Sequence, residues 1–213
     1  MKILVLSDKE DPYLWDYYKP GRLDEYDLIL SAGDLDAEYL SFLVTMARVP
    51  VLYIHGNHDG SYAAFPPEGC DCIEDKLITY NGIRILGLGG CAKYKKAPHH
   101  YTEQQMARRI RRLSFALHRA GGVDIVLTHA APQGCGDLDD YAHRGFACFT
   151  ALMDRWRPAY WVHGHTHLNY GAKRLHIHGD TQVVNAWQKH VIEIEPKAPE
   201  KKRFSFFQKR KAL

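Results

Sequence analysis

The sequence predicts an α/β fold, and three observations carry that prediction. Short, continuous apolar runs recur along the chain: Ile3-Leu4-Val5-Leu6, Leu28-Ile29-Leu30, Val51-Leu52-Tyr53-Ile54, residues 123–127 and Tyr160-Trp161-Val162. Strands buried on both faces read in this way. Segments with apolar residues at spacings of three and four separate several of these runs, which is the helical pattern. Each run then delivers oxygen or nitrogen ligand types: Asp8-Lys9-Glu10, Gly33-Asp34-Leu35-Asp36, Gly56-Asn57-His58-Asp59, Thr128-His129 and Gly164-His165-Thr166-His167. Open α/β sheets bind ligands beyond the carboxyl ends of their strands. One such tip is ordinary loop polarity, whereas five in series describe a site.

In chain order, the first strand ends at Asp8, and an aromatic loop with Tyr13, Trp15, Tyr17 and Tyr18 follows. A second strand over 27–32 delivers Gly33-Asp34. Leu40, Leu43, Val44 and Ala47 predict a helix over 37–48, which Pro50 stops before the strand at 51–54. Residues 76–80 and 83–88 flank Asn81-Gly82, the pair that favours a tight antiparallel hairpin. Thr102 and Gln105 are spaced as a capping box, opening a helix with Met106, Ile110, Leu113 and Leu117 inward. Its Arg108, Arg109, Arg111 and Arg112 lie mostly on the other face, where a solvated charge run is the simpler reading than nucleic-acid binding. A strand at 123–127, a helix at 146–156 and the strand ending at Val162 repeat the pattern. Residues 175–178, 182–185 and 190–194 alternate as strands of a second sheet. His55, His99, His100, His118, His176, His178 and His190 read as surface or satisfied histidines.

A chain of 213 residues with 46% hydrophobic content holds one sizeable core. A single domain over 1–196 is expected, with a basic aromatic tail over 197–213. The tail's seven lysines and arginines against Glu200 make it +6, which leaves −3 for the rest of a chain whose total is +3. A slightly acidic body suits cation binding. The tail, with Phe204, Phe206 and Phe207, reads first as a solvated terminus, with nucleic acid or a membrane surface as alternative partners. No apolar run reaches the roughly 18 residues of a membrane span, and Met1-Lys2-Ile3 opens directly into a strand, so no signal peptide is expected. Five cysteines, an odd number without a CxxC pair, fit reduced thiols in a cytoplasm.

The ordered blocks Asp8, Gly33-Asp34, Gly56-Asn57-His58-Asp59, His129 and Gly164-His165-Thr166-His167 resemble the calcineurin-like metallophosphoesterase superfamily. Thr128-His129-Ala130-Ala131-Pro132, Gly136-Asp137-Leu138 and His143-Arg144-Gly145 are similar to its small cyclic-nucleotide-phosphodiesterase-like branch. The resemblance implies a four-layer α-β-β-α sandwich of two mixed β-sheets and two divalent cations, Mn first, with Fe or Zn as alternatives. It implies that Asp34 bridges both metals, that Asp8 and His167 hold the first, and that Asn57, His129 and His165 hold the second. Imidazole with oxygen ligands suits such ions. Paired metals roughly 3.5–4 Å apart activate a hydroxide for in-line attack on phosphorus. His58 becomes the general acid. Lys93, Tyr94 and Lys95, at a strand end on the same rim, are candidates for binding the phosphate ester, a nucleotide among the options, and His143 joins them.

Two departures from the family pattern bear on activity. Glu10 stands where the superfamily has a histidine, and it either ligates the first metal or turns away and leaves that metal weak. The aspartate that supports the acid histidine in the protein phosphatases is replaced by Ala37, leaving Asp36 and Asp59 as candidates. The expected activity is hydrolysis of a phosphodiester or phosphomonoester; the alternative is a weakly catalytic sensor or scaffold that binds metal and nucleotide.

Overall fold

The structure is a computed structural model that describes residues 1–196; the 197–213 tail, with the contacts expected of it, lies outside the described residues. The chain runs β1 (Lys2–Ser7), β2 (Leu28–Ser31), α1 (Ala37–Met46), β3 (Val51–Tyr53), β4 (Asp71–Cys72), β5 (Lys76–Tyr80) and β6 (Ile83–Leu88). It continues through β7 (Cys91–Ala92), β8 (His100–Tyr101), α2 (Glu103–Ala120), β9 (Ile125–Thr128), α3 (Ala147–Trp156) and β10 (Tyr160–His163). The last elements are β11 (Leu175–His178), β12 (Thr181–Asn185) and β13 (Gln188–Glu193).

These strands form a five-stranded sheet in the order β13-β1-β2-β3-β4 and a six-stranded sheet in the order β11-β12-β10-β9-β6-β5, with β7-β8 as a short third pair. Both large sheets are mixed. β1, β2, β3 and β4 are parallel and β13 is antiparallel to β1. In the second sheet β6, β9, β10 and β12 are parallel, with antiparallel β5 and β11 at the edges.

Alternation along each strand divides its side chains between two layers. Ile3 and Val5 of β1 point into a core shared with Leu28, Leu30, Ile85, Ile125, Leu127, Val162 and Val184, so the two sheets pack face to face. Leu4 and Leu6 point the other way and meet Tyr39, Leu40 and Leu43 of α1. On the far side Leu86, Val126, Trp161 and Val183 receive Met106, Leu113 and Leu117 of α2 with Phe149, Leu152 and Met153 of α3. The layers are therefore helix, sheet, sheet, helix.

The local signals act as their chemistry requires. Asn81 and Gly82 both take positive φ between Tyr80 and Ile83, which closes the β5–β6 hairpin. Thr102 and Gln105 make both halves of the capping box of α2. Two expectations are corrected. β13 joins the first sheet rather than the second, with Lys2 opposite Glu193, because alternation alone specifies a half-buried strand and not its partner. Arg109 is not on a solvated face: it is buried and pairs with Glu74 at 2.7 Å and Asp75 at 2.8 Å.

Leu127 is wholly buried between the two sheets. Leu127→Ala should destabilise the fold by about 2–5 kcal/mol in urea unfolding; a loss below about 1 kcal/mol would mean that the sheets are not packed together there.

Candidate metal centre

The carboxyl ends of β1, β2 and β3 in one sheet and of β9 and β10 in the other meet at one edge of the sandwich. Ala32 N–H donates to Leu6 O at 2.8 Å, Asp8 N–H to Gly33 O at 3.1 Å and Gly164 N–H to His129 O at 3.0 Å, so the tips are hydrogen-bonded to one another. Asp8, Asp34 and His165 adopt φ of 63°, 57° and 66°. Sparsely populated backbone conformations cost non-glycine residues about 1–3 kcal/mol each, and such residues collect at functional sites.

The glycines beside these residues serve close approach. A Cβ on Gly56 would stand 2.0 Å from Asp34 Oδ1, and one on Gly164 would stand 2.6 Å from Asp8 Oδ2. Only a bare backbone lets these carboxylates sit where they do. Asp34 Oδ1 accepts the His58 backbone N–H at 2.7 Å, and both oxygens of Asp8 lie 3.0 Å from the His165 backbone nitrogen.

At the centre His129, fully buried, donates Nδ1–H to Ala32 O at 2.8 Å. That bond leaves Nε2 facing Asn57 Oδ1 at 3.0 Å and Asp34 Oδ2 at 3.2 Å. Three lone-pair atoms converge on one point, an arrangement that holds a proton or a cation. Burial opposes charge on His129, but the Asp34 carboxylate outweighs it and raises the imidazole to about 10. Burial likewise opposes charge on Asp34, yet His129 and the His58 N–H hold its carboxyl well below the usual range. His165 is pushed down to about 3, first by burial and then by His129, so its ring is neutral. Its Nε2 lies 2.9 Å from Ala142 O, which leaves the lone pair on the other ring nitrogen. Asp34, His129 and His165 each present a ligand atom within 4.8 Å of the others. An imidazole fixed by a backbone carbonyl is the usual outer support of a metal-binding histidine.

The remaining expected residues fall around this group. His167 Nε2 lies 3.7 Å from Asp8 Oδ1, and its ring stacks on Tyr170 with centroids 4.9 Å apart. His58 is exposed beside Asp34. Neither candidate carboxylate is committed to its ring: Asp36 Oδ1 caps α1 through Glu38 N–H, and Asp59 Oδ2 accepts the N–H groups of Gly56 and Asp34. Burial and the neighbouring Asp34 charge raise the Asp59 carboxyl to about 6. Glu10 sends Oε1 to the Asp36 N–H at 2.9 Å and stands outside the Asp34–His129–His165 group. His143 reaches the centre by ring contact, 4.9 Å from His165, while its Nδ1 lies 2.9 Å from both oxygens of Asp140. Lys93, Tyr94 and Lys95 line a cleft of about 510 Å³ with Tyr141 and Arg144, from the loop that also carries Ala142 and His143. Ala142 and Tyr141 carry no signal in the sequence, since a backbone carbonyl and a loop tyrosine follow no spacing rule.

A family model described as calcineurin-like phosphoesterase matches residues 1–169. The chain belongs to the calcineurin-like phosphoesterase family. It is 25% identical over 164 residues to the lariat debranching enzyme of Entamoeba histolytica, covering 60% of this chain and 45% of that one. It is 31% identical over 116 residues to UPF0046 protein T07D4.2 of Caenorhabditis elegans, covering 53% of this chain and 27% of that one. The chain thus spans less than half the length of these relatives. The crystal structure of TT1561 of Thermus thermophilus shares the fold at a TM-score of 0.55 and 14% identity, covering 87% of this chain and 88% of that one. Divalent metal ions belong to the family's phosphoester chemistry, and the donors converging on His129 fit them.

Gly56→Ala should push Asp34 out of place and weaken metal binding about 10–100-fold, the range for a disturbed support of a metal ligand. Gly60→Ala, whose Cβ would meet only Pro98 at 3.8 Å, is the control. Equal affinities of the two variants for Mn, measured by calorimetry, would contradict the role given to Gly56.

Proposed function

We propose that the chain is a metal-dependent phosphodiesterase with two divalent cations at the strand tips. The observation that carries this reading is the convergence of His129 Nε2, Asp34 Oδ2 and Asn57 Oδ1. Asp34 would be shared between the cations, Asp8 and His167 would hold one, and Asn57, His129 and His165 would hold the other. The cations, when bound, would supply Lewis acidity and lower the pKa of a bound water, the chemistry that hydrolysis of a phosphate ester needs. His58, exposed beside Asp34, protonates the departing oxygen. Lys93, Lys95 and Arg144 draw the anionic ester to the rim, and Tyr94 and Tyr141 offer ring faces to the second substituent of a diester. Manganese is the first choice of metal, because the donor set mixes carboxylate and amide oxygens with imidazole.

Similarity of the Thr128–Pro132 and His143–Gly145 blocks to the cyclic-nucleotide-phosphodiesterase-like branch supports a diester substrate, nucleotides included. All five cysteines are free thiols, which fits a reducing cytoplasm. Among the described residues no helix is long and apolar enough to cross a membrane.

Glu10 favours a second reading, in which the first metal is weak and the chain binds phosphate or nucleotide with little turnover. Its carboxylate is engaged with the N-terminal end of α1 rather than with Asp8. Three substitutions test these readings.

With Mn present, the chain should hydrolyse bis-p-nitrophenyl phosphate faster than p-nitrophenyl phosphate. His58→Asn should cut turnover by about two to four powers of ten with metal content unchanged, whereas Asp34→Ala should lose the manganese of the strand tips together with activity. Full activity in either variant, or manganese retained at the strand tips by Asp34→Ala, would defeat the assignment. If Glu10 ligates, Glu10→Ala should lose metal and most activity; a silent substitution would remove Glu10 from the ligand set.

A further inference from the structure

We propose that His55, Glu74 and His99 form a second, separate metal site for a zinc-class cation. His55, Glu74 and His99 each present a ligand atom within 4.8 Å of the others, and they share no residue with the Asp34 group. His55 Nδ1 lies 2.5 Å from Glu74 Oε2, and the His55 and His99 rings stack with centroids 4.5 Å apart and planes within 7°. Two imidazoles and one carboxylate, with water in the fourth position, are a ligand set of zinc.

A plain His55–Glu74 ion pair leaves two features unexplained. His99 Nδ1 is buried with no hydrogen-bond partner among the described residues. His99 is also held at φ 57°, in the left-handed region, a conformation that costs a non-glycine residue free energy.

The surroundings supply the outer support that metal sites use. Arg109 Nη2 holds the other oxygen, Glu74 Oε1, at 2.7 Å, while its Nε reaches Asp75 at 2.8 Å and its Nη1 reaches Gly89 O at 2.8 Å. Oε1 is thereby occupied and Oε2 faces the histidines. On binding, the cation takes the place of the hydrogen between His55 Nδ1 and Glu74 Oε2, and that proton leaves to solvent. The Glu74 and Asp75 carboxylates then exceed the single Arg109 charge.

Zinc titration reads this site without reference to phosphoesterase activity. The chelator-stripped full chain, titrated with zinc chloride in a calorimeter, should lose one equivalent of tightly bound zinc on His99→Ala. In an Asp34→Ala background one equivalent of zinc should remain, and adding His99→Ala should weaken it by more than about 10-fold. Equal zinc binding with and without His99, in the wild-type chain or in Asp34→Ala, would overturn the proposal. If Asp34→Ala does not fold, the wild-type and His99→Ala titrations still decide.

Discussion

The structure of the site depends on the orientation of one imidazole. His129 belongs to the second sheet, and its Nδ1–H reaches Ala32 O at the end of β2 in the first. That hydrogen bond, together with the one from the His165 N–H to Asp8, ties the tips of both sheets together, and it decides which ring nitrogen is left for Asp34 and Asn57. With Nδ1 committed to a carbonyl, Nε2 meets two oxygen acceptors in a buried place, where unpaired lone pairs cost free energy. The same negative potential that makes His129 a strong base makes the point a good place for a divalent cation.

Around that point the backbone is shaped against its local preferences. Asp8, Asp34 and His165 sit in left-handed conformations, and Gly56 and Gly164 stand where any side chain would strike a carboxylate. Such arrangements persist only where neighbouring contacts over-determine them. Here those contacts are the parallel strands beneath, packed through Ile3, Val5, Leu28, Leu30, Leu127 and Val162. The apolar sandwich supplies the rigidity, and the tips use it to hold charged groups close together. Ala142 O and the ring of His143 then tie the loop bearing the Lys93 cleft to His165.

Much of this is legible in the sequence because parallel strands announce themselves as unbroken apolar runs and their ligand residues follow at once. Asp8, Asp34, Asn57, His129, His165 and His167 all stand at such strand ends, and the structure gathers them at one edge. The partner of β13 is not legible, since alternation fixes a face and not a neighbour. Arg109 reads as one of four solvated arginines, because helical spacing does not reveal that Glu74 and Asp75 wait in a distant turn. His55 and His99 read as ordinary histidines for the same reason: the carboxylate between them comes from a third segment. Glu10 stands out as a departure from the family pattern, but only the structure shows its oxygen turned to Asp36 N–H.

The claim on which the account rests is that the atoms converging on His129 Nε2 are metal ligands rather than a self-contained hydrogen-bond cluster. Anomalous diffraction from crystals of the chain soaked in manganese tests it most directly. The account predicts a strong peak within coordination distance of His129 Nε2 and Asp34, and a second peak on the Asp8–His167 side. No peak there, with His129 Nε2 still in direct contact with Asp34 and Asn57 at saturating manganese, would contradict it.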